Sequence, residues 1–389
     1  MIDYSLLQKK YAVGTYVNRG VTFVAGEGVH LKDASGAAYL DLMSNYGVDI
    51  FGHGHPVVVA RLTDQVRTLT TLHGSFANDK RAEAARALVG RCGGGLAQVF
   101  FSNSGSEANE AALKFAVLAT GRRRFVACLR GYHGKTLGAL SMTDGKKFRE
   151  PFEPLPWDAA FVPYGDADAL AAAVDGATAA FIVEPVLGEG GVVVPEPGYL
   201  RRAAEICRAK GALLIVDEIQ TGAGRTGDFL ASAAEGIDYD IVTLGKGLAG
   251  GIPVGATLVS RAVADRIPRS SHTSTFGGNP LAAAGVLAAL ELLDAVMAER
   301  VRALGAYFRA GLRAIASPEI VDVRGRGLMI GVEVRGRRDE ILKRLQDDRV
   351  LAIPAAESVV RFLPPFVLQP ADIDQGLAAL AKALSGLAA

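Results

Sequence analysis

The chain has few cysteines, a single tryptophan, no excess of charge of either sign and no long apolar run. Its three cysteines, Cys92, Cys128 and Cys207, are too scattered for a metal site and fit a reducing compartment. Acidic and basic residues nearly cancel, at 41 against 42, without the basic bias typical of nucleic-acid-binding proteins. No apolar stretch reaches the roughly 20 residues that a membrane-spanning helix needs. We therefore expect no metal, no nucleic-acid partner and no membrane segment.

The amino-terminal segment, residues 1–10, is polar. It lacks the cationic start, apolar centre and small-residue cleavage site of a secretory signal. We therefore expect a cytoplasmic protein. At 389 residues, half of them hydrophobic, the chain is long enough for two or three domains.

From residue 99 onward, short runs rich in Val, Ile and Phe alternate with longer Ala- and Leu-rich helical patterns. The predicted strands are 99–102, 125–129, 179–183, 213–216, 241–244 and 256–260. Helices are predicted between them, for example at 105–119 and 198–210. This alternation predicts an α/β domain with a doubly wound, mostly parallel sheet, whose strand carboxyl ends carry the chemistry.

Both chain ends have a different pattern. Residues 21–24 and 29–32 predict two strands around a turn at 25–28. After Pro280, one long Ala/Leu helix is predicted to about residue 315, followed by strands near 320–323, 328–334 and 359–363. We expect residues 1–55 and 281–389 to build a smaller α+β domain and residues 56–280 to build the large one.

Lys246 is the first candidate for chemistry. It follows the apolar strand 241–244, and its glycine and alanine neighbours leave room for a flat ligand. Desolvation there would lower the pKa of the amine and let it attack an aldehyde. On its own, a lysine at a strand end is more often a surface charge.

Asp217 and Glu218 place two carboxylates at the end of another apolar strand. A buried carboxylate needs a partner, and the nitrogen of a pyridinium ring is one, because the carboxylate keeps it protonated. We choose Asp217 for that role. Gln220 could hydrogen-bond a phenolic oxygen of such a ring, although a loop amide is the simpler explanation.

A phosphate site is predicted where a strand ends and a helix begins, at Gly105 and Ser106. The N–H groups and dipole of a helix amino terminus attract anions. The alternative is that Ser104 or Ser106 is simply a helix cap.

Tyr132 lies in a glycine-flanked turn and could stack on a flat ring. The alternative is an aromatic at the edge of the core. We interpret its neighbour His133 as a structural, hydrogen-bonded histidine and not as a catalytic base.

Taken in order, these motifs resemble the class III, or ω-amino-acid, aminotransferases, and most closely the acetylornithine and N-acyl-lysine branch. The resemblance extends over nearly the whole chain, through 39–41, 52–56, 103–114, 184–191, 217–222, Lys246 and 275–280. It implies a fold-type I transferase that depends on pyridoxal 5'-phosphate, with Lys246 holding the cofactor as a Schiff base.

The resemblance also implies the remaining cofactor contacts. Asp217 would pair with the ring nitrogen, Gln220 would contact the ring hydroxyl and Tyr132 would stack. Gly105 and Ser106 would bind the phosphate of one subunit, and Thr275 would reach the phosphate of the neighbouring subunit. A homodimer with a shared active site is therefore expected. Without that role, residues 277–280 would be a plain helix-start turn.

Four further residues are implied to bind substrate. Arg361 would hold the α-carboxylate of glutamate or 2-oxoglutarate, and Glu189 would pair with it when the donor has no carboxylate there. A structural salt bridge is the alternative. Lys135 stands where the branch usually has an arginine that grips the distal carboxylate, and Tyr46 stands at a specificity position.

We expect a transaminase that moves the terminal amino group of N-acetylornithine, or a similar ω-amino acid, to 2-oxoglutarate, giving a semialdehyde and glutamate. That activity belongs to arginine biosynthesis. The stretches 146–152 and 324–331 resemble lysine-biosynthetic members, so N-acyl-lysine stays open as the donor. Ornithine and 4-aminobutyrate transaminases, a semialdehyde aminomutase and a non-catalytic cofactor-binding protein stay open as well.

Overall fold

The structure is a computed structural model and describes residues 2–387. The strands are β1 (Phe23–Glu27), β2 (His30–Asp33), β3 (Ala38–Asp41), β4 (Leu96–Ser102), β5 (Arg124–Cys128), β6 (Asp158–Val162), β7 (Thr178–Val183), β8 (Leu213–Asp217), β9 (Ile241–Leu244), β10 (Gly255–Ser260), β11 (Ile320–Arg326), β12 (Met329–Val334), β13 (Val350–Leu351), β14 (Ile353–Ala355) and β15 (Val359–Phe362).

The helices are α1 (Tyr4–Tyr11), α2 (Ser44–Gly47), α3 (Pro56–Thr68), α4 (Asp79–Cys92), α5 (Gly105–Thr120), α6 (Leu137–Met142), α7 (Lys146–Arg149), α8 (Ala167–Ala173), α9 (Tyr199–Lys210), α10 (Arg261–Ala264), α11 (Pro280–Leu292), α12 (Ala295–Ala314), α13 (Arg338–Asp347) and α14 (Pro370–Ser385). Short 3-10 helices lie at Glu150–Phe152, Ala231–Glu235 and Lys246–Ala249. The segment α2 is a single turn that contains left-handed residues.

The large sheet has the strand order β4-β10-β9-β8-β7-β5-β6. The pairs β9–β8, β8–β7, β7–β5 and β5–β6 are parallel, whereas β10 runs antiparallel to both of its neighbours. Every residue of β7 is buried, as expected for a strand covered on both faces. The predicted doubly wound, mostly parallel sheet is confirmed, and β6 is an edge strand that the prediction omitted.

Two four-stranded sheets lie outside the large one, in the orders β1-β2-β3-β13 and β11-β12-β15-β14. Strand β13 pairs in parallel with β3, so distant parts of the sequence share one sheet. The predicted turn at 25–28 is wrong, because β1 continues to Glu27. The chain turns instead at Gly28, whose φ of 55° suits glycine and whose N–H donates to the carbonyl of His53.

The single long helix predicted after Pro280 is also wrong, since α11 and α12 are separate and bent by 72°. Leu293 has a non-helical ψ of 60°, and the carboxylate of Asp294 accepts the N–H of Met297 at 2.8 Å, which starts a new helix. Within residues 2–387 no single helix is long and apolar enough to cross a membrane, and only this bent pair has the combined length and apolar composition of such a span.

Candidate active site

Lys246 lies two residues beyond the end of β9, in a turn where its own φ is 46°. The turn packs closely on the start of α5, because a side-chain carbon on Gly245 would lie 3.3 Å from the Cα of Gly105. Lys246 keeps some solvent exposure, yet its burial lowers the pKa of its amine, against the opposing charges of Glu189 and Asp217. A larger share of the amine is therefore uncharged and nucleophilic.

Asp217 ends β8 and is 3% exposed. Its Oδ2 accepts a hydrogen bond from Nδ2 of Asn109 at 2.8 Å and lies 2.7 Å from Nδ1 of His133. Since a carboxylate only accepts, Nδ1 of His133 is the donor there. The other oxygen accepts the N–H of Ile219 at 3.0 Å. These donors satisfy the buried carboxylate and fix its orientation.

Asn109 was not identified from the sequence. Its side chain is fully buried on α5, donates to Asp217 and to the carbonyl of His133 at 2.7 Å, and accepts from the hydroxyl of Thr243 at 2.8 Å. One amide thus joins α5, β8, β9 and the turn after β5. The sequence did contain a signal, because Asn109 is a polar residue inside the Ala- and Leu-rich run of α5. It shares a helix face with Gly105, which precedes it by four residues.

Glu184 was also missed. It follows β7 and is 5% exposed. Its two oxygens accept the N–H groups of Tyr132 and Gly188, each at 3.0 Å. Burial raises the pKa of Glu184 to about 7, while His133 lowers it and Asp217 raises it. Glu184 therefore holds the backbone of the turn that carries Tyr132.

Tyr132 is partly buried, and its ring centroid lies 6.1 Å from that of Phe148. Burial raises the pKa of Tyr132 to about 12, so its hydroxyl stays protonated. Lys135 is exposed, with Nζ 5.3 Å from the same Phe148 ring. Tyr132 and Lys135 thus lie on one aromatic patch, and their stacking and substrate-binding roles stay predictions.

At the start of α5, Ser104 and Ser106 have different roles. Ser104 is the helix cap, with its hydroxyl accepting the N–H of Glu107 at 3.1 Å. The hydroxyl of Ser106 lies 2.8 Å from that of Thr136. The first N–H groups of a helix have no acceptor within the helix, so Gly105 and Ser106 retain anion-binding capacity.

Arg361 lies on β15 and is fully buried. Its Nη2 donates to Oε1 of Glu189 at 2.6 Å, and its Nη1 donates to Oε1 of Gln220 at 2.9 Å. The ring centroid of Tyr46 lies 5.8 Å from its Cζ. Since Oε1 of Gln220 accepts from Arg361, the amide nitrogen remains as a donor. The structure brings these four predicted residues together.

Thr275 differs from the other predicted residues, because it is exposed on the surface of the single chain. It lies just before α11, where Pro280 is the first helical residue and the side chain of Asn279 accepts the N–H of Ala282 at 2.8 Å. The helix-start turn is therefore real, and a role across a subunit interface stays a prediction.

These residues fit pyridoxal 5'-phosphate. The amine of Lys246 matches its aldehyde, the fixed carboxylate of Asp217 matches its ring nitrogen, and the start of α5 matches its phosphate. On a doubly wound sheet, this set places the protein among the fold-type I enzymes that depend on that cofactor.

Comparison with known proteins defines the family. The chain belongs to the class-III aminotransferases, since that family matches residues 12–384. It is 46% identical to a [LysW]-aminoadipate semialdehyde transaminase of Deinococcus radiodurans, over 98% of this chain and 90% of the relative. It is 44% identical to an acetylornithine aminotransferase of Methanopyrus kandleri, over 98% and 99% respectively.

Solved structures agree. An ornithine aminotransferase of Toxoplasma gondii, with PLP at partial occupancy in its active site, has a TM-score of 0.95 and 35% identity, covering 99% of this chain and 94% of that one. An acetylornithine aminotransferase of Elizabethkingia anophelis has a TM-score of 0.88 and 32% identity, covering 98% of each chain. The protein is therefore an aminotransferase whose cofactor is pyridoxal 5'-phosphate.

Proposed function

We propose that the enzyme moves the terminal amino group of N-acetylornithine, or a similar ω-amino acid, to 2-oxoglutarate. The observation that carries this proposal is the ion pair of 2.6 Å between Glu189 and the fully buried Arg361. The charges of both residues act on the amine of Lys246. A carboxylate partner offsets the desolvation cost of an arginine charge at this depth. Glu189 supplies one from the protein, and a substrate can supply another.

The two halves of the reaction use this pair differently. With 2-oxoglutarate or glutamate, the planar guanidinium of Arg361 binds the α-carboxylate through two parallel hydrogen bonds, and Glu189 withdraws. With an ω-amine donor there is no carboxylate next to the reacting carbon, so Glu189 keeps Arg361 paired. Glu189 is 34% exposed, which leaves it room to turn away into solvent.

Lys246 moves the proton. Pyridoxal phosphate, when bound, supplies an electron sink for the pair released at the substrate carbon. Lys246 and the helix start at Gly105 and Ser106 would hold it, with Tyr132 on its face and Gln220 at its hydroxyl. Nζ of Lys246 would take the proton from the substrate carbon that bears the amino group, which its lowered pKa favours.

An N-acyl-lysine-type donor is the second candidate. It is supported by the relative at 46% identity, which is named for an aminoadipate semialdehyde. Lys135 and Tyr46, the two residues expected to select the donor, are both exposed and accessible to a long substrate. Ornithine and 4-aminobutyrate are the remaining donors to compare.

We further propose a cytoplasmic homodimer that shares its active sites. Support comes from Thr275 and from Phe276, which is 60% exposed on the single chain beside it. The proposed domains are 1–55 with 281–389, and 56–280. The pairing of β13 with β3 supports the joining of the two chain ends.

A half-reaction assay tests the donor. The purified enzyme with its cofactor is mixed with acetylornithine, acetyl-lysine, ornithine or 4-aminobutyrate, and the loss of the visible absorption band of the bound cofactor is timed. We expect acetylornithine to be the fastest. No loss with any of the four, or turnover of a semialdehyde without any 2-oxoglutarate, would contradict the proposal, and the latter result would indicate an aminomutase.

A further inference from the structure

The turn that carries Tyr46 is strained. Ser44, Asn45 and Tyr46 have φ angles of 39°, 49° and 59°, so three consecutive residues with side chains adopt the left-handed conformation. A side-chain carbon makes that conformation unfavourable at each position. Such a turn persists only where its surroundings hold it, and it is found mainly at functional sites.

Asp41 holds the start of this turn. It is 1% exposed at the end of β3. Its Oδ1 accepts the backbone N–H groups of Met43 at 3.0 Å and of Ser44 at 2.8 Å. The geometry of the turn therefore depends on the orientation of one carboxylate.

His53 fixes that carboxylate. Its Nε2 lies 3.0 Å from Oδ2 of Asp41, and its Nδ1 lies 2.7 Å from Oδ2 of Asp49. Since carboxylates only accept, both ring nitrogens donate and the ring carries a positive charge. Hydrogen bonds to Asp41 and Asp49 raise the pKa of His53 to about 9, in agreement with this geometry.

The far side of the turn reaches the substrate end of the site. The hydroxyl of Ser44 donates to the carbonyl of Leu363 at 2.5 Å, two residues beyond Arg361. The Tyr46 ring faces the guanidinium of Arg361, at 5.8 Å. An aromatic ring at this distance attracts a cation and restricts its orientation.

We propose that His53 and Asp41 form a hydrogen-bonded brace that holds Tyr46 over Arg361 and so sets the affinity for the dicarboxylate acceptor, while Asp49 only accepts the second ring N–H of His53. His53 and Asp41 act on the site through the turn that carries Tyr46, which makes them positioning residues. The effect on acceptor affinity rests on the proposed function, whereas the effect of His53 and Asp41 on the turn does not.

Two variants of His53 separate its two contacts. The amide nitrogen of His53→Asn lies near the place of Nδ1 and keeps a donor for Asp49 only. The longer side chain of His53→Gln brings its amide near the place of Nε2 and keeps a donor for Asp41. If Asp41 is the essential contact, only the asparagine variant releases the turn. Asp49→Asn serves as a further control, because the contact between His53 and Asp41 survives it.

Amide hydrogen exchange on the holoenzyme measures directly how often the turn opens. We expect exchange in a peptide over 43–48 to speed up by about tenfold in His53→Asn and by less than about twofold in His53→Gln. Glutarate, which resembles 2-oxoglutarate but cannot react, reports the acceptor site. Its Kd should rise by about tenfold in His53→Asn alone, with the cofactor absorption band unchanged.

Tyr46→Ala completes the design. It should weaken glutarate binding as much as His53→Asn does, and the double variant should be no weaker than either, since both act through one ring. Equal exchange and equal glutarate affinity in the two His53 variants would overturn the inference, as would additive losses in the double variant. A wild-type enzyme that neither transaminates nor binds glutarate would refute the proposed function, while the exchange comparison would still decide whether the brace exists.

Discussion

The cofactor end and the substrate end of the site are built differently. At the cofactor end, the carboxylate of Asp217 is surrounded by short-range donors from Asn109, His133 and the backbone of Ile219. At the substrate end, the buried Arg361 relies on Glu189, a partner that is 34% exposed. In the proposed reaction, the cofactor end keeps a single arrangement, whereas Arg361 at the substrate end exchanges one carboxylate partner for another.

This difference follows from what each end must do. The ring nitrogen of one cofactor needs one geometry, so buried and fully satisfied polar groups are suited to it. In the proposed reaction, two substrates of different shape use the other end in turn, and the buried charge of Arg361 needs a partner between them. The proposed function thus assigns a rigid arrangement to one end of the site and an exchange of partners to the other, and variants at each end test this assignment.

The largest effect is expected at Lys246. Lys246→Ala should reduce kcat by about 10⁴-fold, because the residue that we propose to bind the cofactor and to move the proton is lost. Steady-state rates and the visible cofactor band measure the loss. Lys246→Arg is the matched control, which keeps the charge but is a poor nucleophile and should be similarly inactive. An intact band and normal turnover in Lys246→Ala would disprove the assignment.

Asn109→Ala tests the rigidity of the cofactor end. It removes a donor from a buried carboxylate and an acceptor from Thr243, so we expect the free energy of unfolding to fall by about 3 kcal/mol. Urea denaturation of the holoenzyme measures it. Asn109→Ser retains a small polar group and should lose less. If Asn109→Ala were as stable as the wild type, the cofactor end would not be the rigid one.

The charge on His53 gives the substrate end a pH dependence. The folded-state pKa of about 9 exceeds the ordinary 6.5, so this contribution is complete below pH 6.5 and is lost as the pH rises through 9. Since His53 is 21% exposed, we expect a loss on the order of 2 kcal/mol. Denaturant midpoints at pH 6 and 9.5 measure it, with His53→Gln as the control that lacks the titration. Parallel pH curves for the two proteins would count against a charged His53.

Glu189→Gln tests the exchange of partners. Without the competing carboxylate, Arg361 should bind 2-oxoglutarate about tenfold more tightly, while the half-reaction with an ω-amine donor slows. Rapid-mixing half-reactions with each substrate measure the two effects separately. Glu184→Gln is the control, since Glu184 is a buried carboxylate that holds the turn of Tyr132. It should not combine tighter binding of 2-oxoglutarate with a slower donor half-reaction. Weaker binding of both substrates in Glu189→Gln would mean that the ion pair is only structural.

The smallest effect is expected at Lys135. Lys135→Arg restores a planar fork for the distal carboxylate and should change the KM for the ω-amine donor by about threefold, with kcat unchanged. Steady-state kinetics with acetylornithine and acetyl-lysine measure it, and Lys147→Arg on the same Phe148 ring is the matched control. Identical donor kinetics in wild type and Lys135→Arg would mean that Lys135 faces away from the substrate.

The sequence predicted the elements that depend on local pattern. Apolar runs identified the buried strands, and Lys246 and Asp217 were found because each follows such a run. The break between α11 and α12 was not predicted, because the Ala- and Leu-rich pattern continues across it. Only Asp294, the cap of α12, indicates a new helix. The turn was wrongly predicted at 25–28. Strand β1 begins two residues later and ends three residues later than the predicted strand 21–24.

By itself, the sequence determined the alternation of strands and helices, the lysine and the carboxylate at their ends, and the family. Those features depend on residue type and spacing along the chain. Only the tertiary structure decided that Asn109 holds Asp217, that Glu184 holds the turn of Tyr132 and that His53 joins Asp41 to Asp49. The reason is physical: a buried polar group takes whichever partner the fold brings to it, and spacing in the sequence does not indicate which one.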